Sequence, residues 1–557
     1  MKKIQPETRY VLAFYTVFCC IVTTTWSPHL FFNHIYTLSG HYVPLFYWKD
    51  STFFTWCFEW WPSQLLQFKN PFLSNYINYP DVVNLTHTTS IPALSLTMAP
   101  FTLLFGPIFS YNLTVFLIPI INSFCMYLTV RAIYPKIGPV LACTSGALFG
   151  FSPYVIGHLP LHINLSFVAL LPIAILLVYK WQKNYLSTRL FILCMGFLIA
   201  YEGGVSLEIL LYMAVAGLIS LLFYAKIINL NFVKAFFLIG LLSFFLLSPI
   251  LYYFLFKEDS TLYMTNFSTY GEDLKLILFP FSAQLFHYHN VPNTFKNVDL
   301  PENSFFGLFL ILLFILSWKN IDKKLRIIGL IFFLISLGSP IFYNGVSTGI
   351  YNPFVFIHYF PGMKHALITR FTILVWLVVA LVFPQIWIHG TRITKTLGVL
   401  MILSLLPNPV WGAWVNLHTP FYRGAKMVAM EPAFTNKDFL HQINGKNYIL
   451  VPYQGLGGLW QAESGMKFRA FGIYTGMPDQ SGLLSPNGDL IGPIANHGAG
   501  HMDAAWVHML TKYCIDQHID GILYTISRWS PGQLPDVLLQ NGWKAKNWGN
   551  VIILTPK

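Results

Sequence analysis

The stretch that decides the fold is 108-IFSYNLTVFLIPIINSFCMYLTVRAIYPK-136. Residues 108–130 carry no charge, and as a helix they are long enough to cross a hydrocarbon layer about 30 Å thick. Lipid offers no partner for an unpaired backbone N–H, so a run of this kind is stable there only as a helix. It closes on Arg131 and Lys136, and basic residues in a short loop hold that loop in the cytoplasm. Working outward, the same pattern recurs. Lys2 and Lys3 precede an apolar run over 11–26, and Lys180, Lys183 and Arg189 follow a run over 163–179. Lys226 with Lys234, the group Lys319, Lys323, Lys324 and Arg326, and Arg392 with Lys395 continue the series, each interval fitting one out-and-back hairpin. The reading is an α-helical polytopic membrane protein of about eleven transmembrane helices. Its amino terminus is inside, its last crossing is at 396–412, and its carboxyl terminus is outside.

Composition agrees. Only 10% of the 557 residues are charged, against about 25% in a soluble domain, which is too few to coat a soluble particle of this size. The net charge of +12 is read as topology signal, and nucleic acid is not expected as a partner. The run from Val11 ends on Trp26-Ser27-Pro28-His29 instead of a small-residue cleavage site, so it is expected to be a permanent span and not a signal peptide. Seven cysteines show no CxxC pair. Cys57 and Cys514 would face the oxidising side, but no spacing pattern supports their pairing.

Two domains follow: a membrane domain, 1–414, and an extracytoplasmic soluble α/β domain, 415–557. The apolar run Ile91–Phe105 is only about 22 Å long as a helix. Counting it as a crossing would put Arg131 and Lys136 outside, so it is read as lying on the outer surface. That makes 31–107 one large first outer loop, carrying Asp50, Glu59 and Asp81; 257–304 and 339–369 form two more. The cytoplasmic loops are too short to build a pocket, so function is placed on the outer face. Glu202-Gly203-Gly204 interrupts another apolar run, and a turn there restores the parity of the crossings. Glu202 and the deeper Glu208 are then carboxylates at or below the outer interface, costly and functional by default. Snorkelling to water remains the alternative for Glu202, and a paired role for Glu208.

In the tail, strand-like runs at Tyr448–Val451, Gly521–Tyr524 and Val551–Leu554 alternate with helical patterns at Met502–His518 and Leu534–Asn541. A module with its own apolar strands, packed on the outer loops, is predicted. It has no P-loop and no GxGxxG after a strand. His497 and His501 are separated by glycines that disfavour a helix, and His287 with His289 has no acidic neighbour, so no metal site is assigned.

Several phrases, in this order, carry a resemblance: KDSTFFTWCFEWWPSQLL from Lys49, NPFLSNYINYPDVVNLTHTTSIP from Asn70, GFSPYVIGHLPLHINL from Gly150, SLEI around Glu208, TRF at Arg370, and VPYQGLGGLWQAESGMKFR from Val451. Together they resemble the GT-C superfamily of lipid-dependent membrane glycosyltransferases, more narrowly the bacterial YfhO-like proteins. The resemblance implies a sugar moved from a polyprenyl-phosphate donor to an envelope glycan, lipid or protein acceptor, at the outer face of the bacterial inner membrane, with membrane lipid as surroundings. It also implies an acidic catalytic base in the first outer loop, and Asp50 occupies the matching place. The chemistry agrees, because the transfer needs a carboxylate to take the acceptor proton and cationic or hydrogen-bonding groups on the departing phosphate. The alternative for Asp50 is a loop carboxylate satisfied by Lys49 or water. Donor-phosphate and pocket candidates are Lys49, His158, His162, Glu208 and Arg370, with Lys364 and His365 nearby; Glu59, Asp81 and Glu202 are minor candidates. For the histidines and Arg370, a plain interfacial role stays open. No cofactor is predicted, although a divalent cation is possible. Two other functions fit the same residues: a transporter or flippase, and a non-catalytic scaffold with an outer binding domain.

Overall fold

The computed structural model describes residues 6–23, 34–37, 46–159, 161–257, 270–280, 284–286, 305–360, 362–363, 366–407, 426–453, 456–475, 488–495, 502–526 and 530–557. His287, His289, Lys364, His365, His497 and His501 lie outside these residues. Five described helices are long and apolar enough to cross a membrane: Pro107–Ile133, Pro139–His158, Ile163–Gln182, Leu230–Phe256 and Ile368–His389. Six more occupy the other runs read as crossings: Pro6–Thr23, Thr188–Gly203, Leu207–Phe223, Leu308–Leu316, Lys323–Ser336 and Arg392–Leu405. These range from 9 to 18 residues. At 1.5 Å per residue the shortest measures about 13 Å, under half a hydrocarbon core. Length and apolarity thus mark five candidate crossings among the described residues and do not establish the count of eleven.

The closest helix pairing follows from small residues. Helix Pro139–Gly150 lies against Pro107–Ile133 through Gly146 and Gly150, a small-xxx-small spacing that lets backbones approach. A Cβ on Gly150 would sit 2.6 Å from the Pro119 carbonyl oxygen. The break at Glu202-Gly203-Gly204 is also present. Helix Thr188–Gly203 ends there, and the Ser206 side chain accepts from Ile209 N to start the next helix. The Gly204 carbonyl takes the N–H of Ala93 at 2.9 Å, and a Cβ on Gly204 would lie 2.9 Å from that of Ala93.

The first outer segment is largely helical. Helix Phe46–Leu66 buries Phe53, Phe54, Trp56, Cys57, Phe58, Trp60 and Trp61, so most of its circumference is covered by protein. Helix Pro92–Phe105 buries Leu94, Ser95, Met98 and Thr102 and exposes Leu96, Leu103, Leu104 and Phe105. Between these helices, the Asn84 side-chain amide donates to the carbonyls of Tyr253 at 2.9 Å and Lys257 at 2.6 Å, satisfying the open end of helix Leu230–Phe256.

The tail forms a five-stranded sheet in the order Lys544–Trp548, Val551–Thr555, Gly521–Thr525, Asn447–Val451, Arg469–Phe471. The first two pairings are antiparallel and the last two parallel. Because side chains alternate along a strand, the sheet divides its apolar residues between two cores. Ile449 and Val451 pack with Trp506, Leu510, Leu534 and Leu538 in a core of the tail's own. Tyr448 and Leu450 join the large core that includes the Phe46–Leu66 helix. The free edge is closed by the first outer segment: Ala470 N donates to the Tyr76 carbonyl at 2.9 Å, and Tyr79 N to that of Ala470 at 3.1 Å. The buried Gln461 amide completes the seam, accepting from Trp56 Nε1 at 2.5 Å and donating to the carbonyls of Tyr76 and Phe468. Farther out, His34–Thr37 pairs antiparallel with Lys426–Ala429. Cys57 and Cys514 are separate, buried free thiols.

Candidate functional site

Asp50 lies in the second turn of helix Phe46–Leu66 and is 8% exposed. Its Oδ2 is 3.6 Å from His162 Nε2, and the Tyr474 hydroxyl hydrogen-bonds to the carboxylate. Burial, followed by the adjacent Asp50 charge, pushes the Tyr474 phenol well above its ordinary pKa, so it stays protonated and donates. Next to Asp50, Ser51 hydrogen-bonds to the buried Tyr111 of helix Pro107–Ile133. Lys49 belongs to the same helix, but its side chain is outside the described residues.

His158 and His162 flank Pro160, yet His162 N still donates to the His158 carbonyl at 2.7 Å, a single α-turn that brings the two rings to 5.8 Å edge to face. His158 is fully buried, and its Nδ1 lies 2.9 Å from the Tyr154 carbonyl oxygen. A carbonyl only accepts, so Nδ1 carries a proton, and in the neutral ring Nε2 is the acceptor.

Glu208 caps a second cluster. Its Oε2 accepts from Arg370 at 2.7 Å, while Oε1 accepts from Leu367 N at 3.0 Å and touches the Tyr212 hydroxyl. That hydroxyl also reaches the Leu367 carbonyl at 2.7 Å. Tyr154 stands beside the first cluster, its ring 4.3 Å from that of His158. Asp50 with His162, and Glu208 with Arg370, are thus two polar pairs on neighbouring elements, with the Tyr154 and His158 rings between them.

The minor candidates lie elsewhere. Glu59 is nine residues beyond Asp50, two and a half turns, which places it on the opposite side of the helix. It faces Glu463 of the tail, whose Oε1 accepts from Ile108 N at 3.4 Å. Burial, with the neighbouring carboxylate adding to it, pushes Glu59 up to about 7, and burial pushes Glu463 up to about 7. Both carboxyls hold a proton more tightly in the folded chain than in the unfolded one, so stability falls as pH rises from about 4.5 through 7. Thermal melts of the full chain in nanodiscs are expected to show a lower Tm at pH 8 than at pH 5, with a smaller drop in Glu59→Gln; equal drops would remove the pair as its source. Asp81 is exposed, near Tyr513 of the tail. Glu202 is completely buried, with neither carboxyl oxygen partnered among the described residues. Among the described residues, no three His, Cys, Asp or Glu side chains come together as a metal cluster.

Sequence reasoning missed Tyr474 and Tyr212. Tyr212 could have been found from its spacing, since it stands one helical turn after Glu208. Nothing local marks Tyr474.

No known protein family matches the chain by sequence, and no curated protein does. In fold it matches the arabinofuranosyltransferase AftD from mycobacteria, solved by single-particle cryo-EM, with a TM-score of 0.58 and 11% identity, covering 98% of this chain and 39% of that one. The chain thus spans about two fifths of that neighbour's length. The apo oligosaccharyltransferase of Archaeoglobus fulgidus gives a TM-score of 0.47 at 12% identity, over 96% of this chain and 72% of that one. The AglB oligosaccharyltransferase of the same organism, in complex with an inhibitory peptide and a dolichol-phosphate, gives 0.42 at 12% identity, over 99% and 74%. The chain shares the fold of the first of these structures.

Proposed function

We propose that this chain is a membrane glycosyltransferase that moves a sugar from a polyprenyl-phosphate donor to a glycan, lipid or protein acceptor at the outer face of a bacterial inner membrane. Asp50 is the general base. Its carboxylate takes the proton of the acceptor hydroxyl as that oxygen bonds to the anomeric carbon and the bond from that carbon to the phosphate oxygen breaks. Polyprenyl phosphate departs with the bonding electrons, and the anomeric configuration inverts. Tyr474 orients the carboxylate, and His162 stands beside it. Arg370, positioned by Glu208, is the residue assigned to the donor phosphate, with His158 and Lys49 as further candidates.

The observation that supports this reading most directly is the setting of Asp50. It is nearly buried, and it is held by His162 and Tyr474. A solvated loop carboxylate would have none of these partners. The deciding experiment supplies purified protein in nanodiscs with radiolabelled polyprenyl-phosphate hexoses and pentoses plus an envelope extract as acceptor. Release of polyprenyl phosphate coupled to product is expected for at least one donor; no turnover with any donor counts against the reading. Orientation is checked separately, because a reporter fused after Trp414 should be active only outside the cytoplasm and one at Lys323 only inside.

A further inference from the structure

Between the loop at Thr86–Pro92, the turn at Gly203–Glu208 and helix Leu230–Phe256 lies an open cleft of about 140 Å³. Its wall includes Trp61, Thr88, Thr89, Ser90, Asn164 and Glu208. Among the described residues, three of these wall residues have a buried polar atom with no hydrogen-bond partner: Nε1 of Trp61, the hydroxyl of Thr89 and Oδ1 of Asn164. Trp61 is 3% exposed and Asn164 8%. Native interiors rarely leave such groups unsatisfied, and three along one cleft call for an explanation.

The three atoms differ in kind. The indole N–H only donates, the amide oxygen only accepts, and the hydroxyl does both. An anion would leave the amide oxygen unpaired and would meet the Glu208 carboxylate, and no Lys, Arg or His among the described residues lines the cleft. A cation would leave the indole unpaired. An acyl chain would satisfy none of them. A neutral polyol can satisfy all three, since each of its hydroxyls both donates and accepts, while Trp61 supplies apolar surface for the carbon skeleton. We infer that this cleft is a saccharide-binding subsite, reached by small side-chain rotations of the wall.

Its placement relates it to Asp50. Trp61 stands eleven residues beyond Asp50, close to three full turns, so both lie on one face of the helix about 16 Å apart. Asn164 is two residues beyond His162, which touches Asp50. Resting on the glycosyl-transfer reading, the occupant is a remote sugar of a glycan acceptor whose reacting hydroxyl lies at Asp50.

The test measures binding on the full chain in nanodiscs, free of sugar-headed detergent. Neutral trisaccharides of glucose, mannose, galactose and arabinofuranose are titrated by calorimetry and by saturation-transfer NMR. At least one is expected to bind, about tenfold more weakly to Thr89→Val, which keeps the side-chain shape while losing the hydroxyl, and to Trp61→Phe, which loses the indole N–H and part of the ring surface. Unchanged Tm values establish that the cleft variants fold. No binding by any trisaccharide at millimolar concentration overturns the proposal, as does binding indifferent to both cleft variants. Displacement by phosphatidylglycerol vesicles but by no trisaccharide would assign the polyol to a lipid headgroup and also overturn it. Saccharide binding without any transfer would fail the glycosyl-transfer reading alone; Asp50-dependent transfer without saccharide binding would fail the subsite alone.

Discussion

Asp50→Asn is expected to cut sugar transfer by about a hundredfold or more while leaving folding and donor binding nearly unchanged. The amide keeps the size of the carboxylate and can still accept from Tyr474, so the local packing survives. What it lacks is the basicity to take the acceptor proton, and the loss should therefore fall on kcat instead of KM. A Tyr474→Phe variant sharpens the result. Removing that hydroxyl leaves Asp50 charged but less well oriented, so a smaller loss with a shifted pH profile is expected. Folding must be established first by a thermal melt, because Asp50 is part of the helix that carries the shared core. A folded Asp50→Asn protein with wild-type turnover would remove the base assignment.

The second large effect concerns Arg370 and Glu208. Their contact at 2.7 Å is mostly buried, with side chains 12% and 21% exposed. Removing one partner of such a pair leaves an uncompensated charge and costs about 3 kcal/mol. Arg370→Ala is expected to lower Tm by several degrees and also to raise the dissociation constant for the polyprenyl-phosphate donor. A guanidinium carries five N–H donors, so pairing with Glu208 is compatible with phosphate binding. Arg370→Lys should restore much of the stability and only part of the donor affinity, since an ammonium lacks the planar fork. Glu208→Gln separates the roles. The amide oxygen can still accept from Arg370, so donor binding should fall less than in Arg370→Ala. Equal donor affinity in wild type and a folded Arg370→Ala protein would leave Arg370 a structural partner of Glu208 and nothing more.

Several parts of this arrangement were readable in the sequence because they depend on local chain properties. The helix break at Glu202-Gly203-Gly204 follows from glycines followed by a capping serine. Glu208 stands out because a carboxylate in an apolar setting is costly wherever the chain goes, and Asp50 because it occupies the place of the acidic base that the family resemblance implies. Helix spacing alone also separates Asp50 from Glu59. The reading of 31–107 as outer loop did not anticipate the buried helix Phe46–Leu66. Its run of Trp and Phe, interrupted by Thr55 and Glu59, has no continuous polar face, and so aromatic a stretch suits a membrane interface as well as a protein core.

By itself the sequence determined that this is a multi-pass helical membrane protein. The free energy of placing an uncharged run in lipid is close to a sum over its residues, whatever the rest of the chain does. It also determined that strands and helices alternate in the tail, a consequence of local periodicity. Only the tertiary structure decided which groups meet. It brought Tyr474 onto Asp50, joined Trp56 to Gln461 across 405 residues, closed the tail's sheet with residues 76–79, and paired Glu208 with Arg370 instead of leaving each to water. Such contacts form only after the whole chain has closed around them. Each depends on the summed packing of distant elements, and no window of the sequence contains that sum.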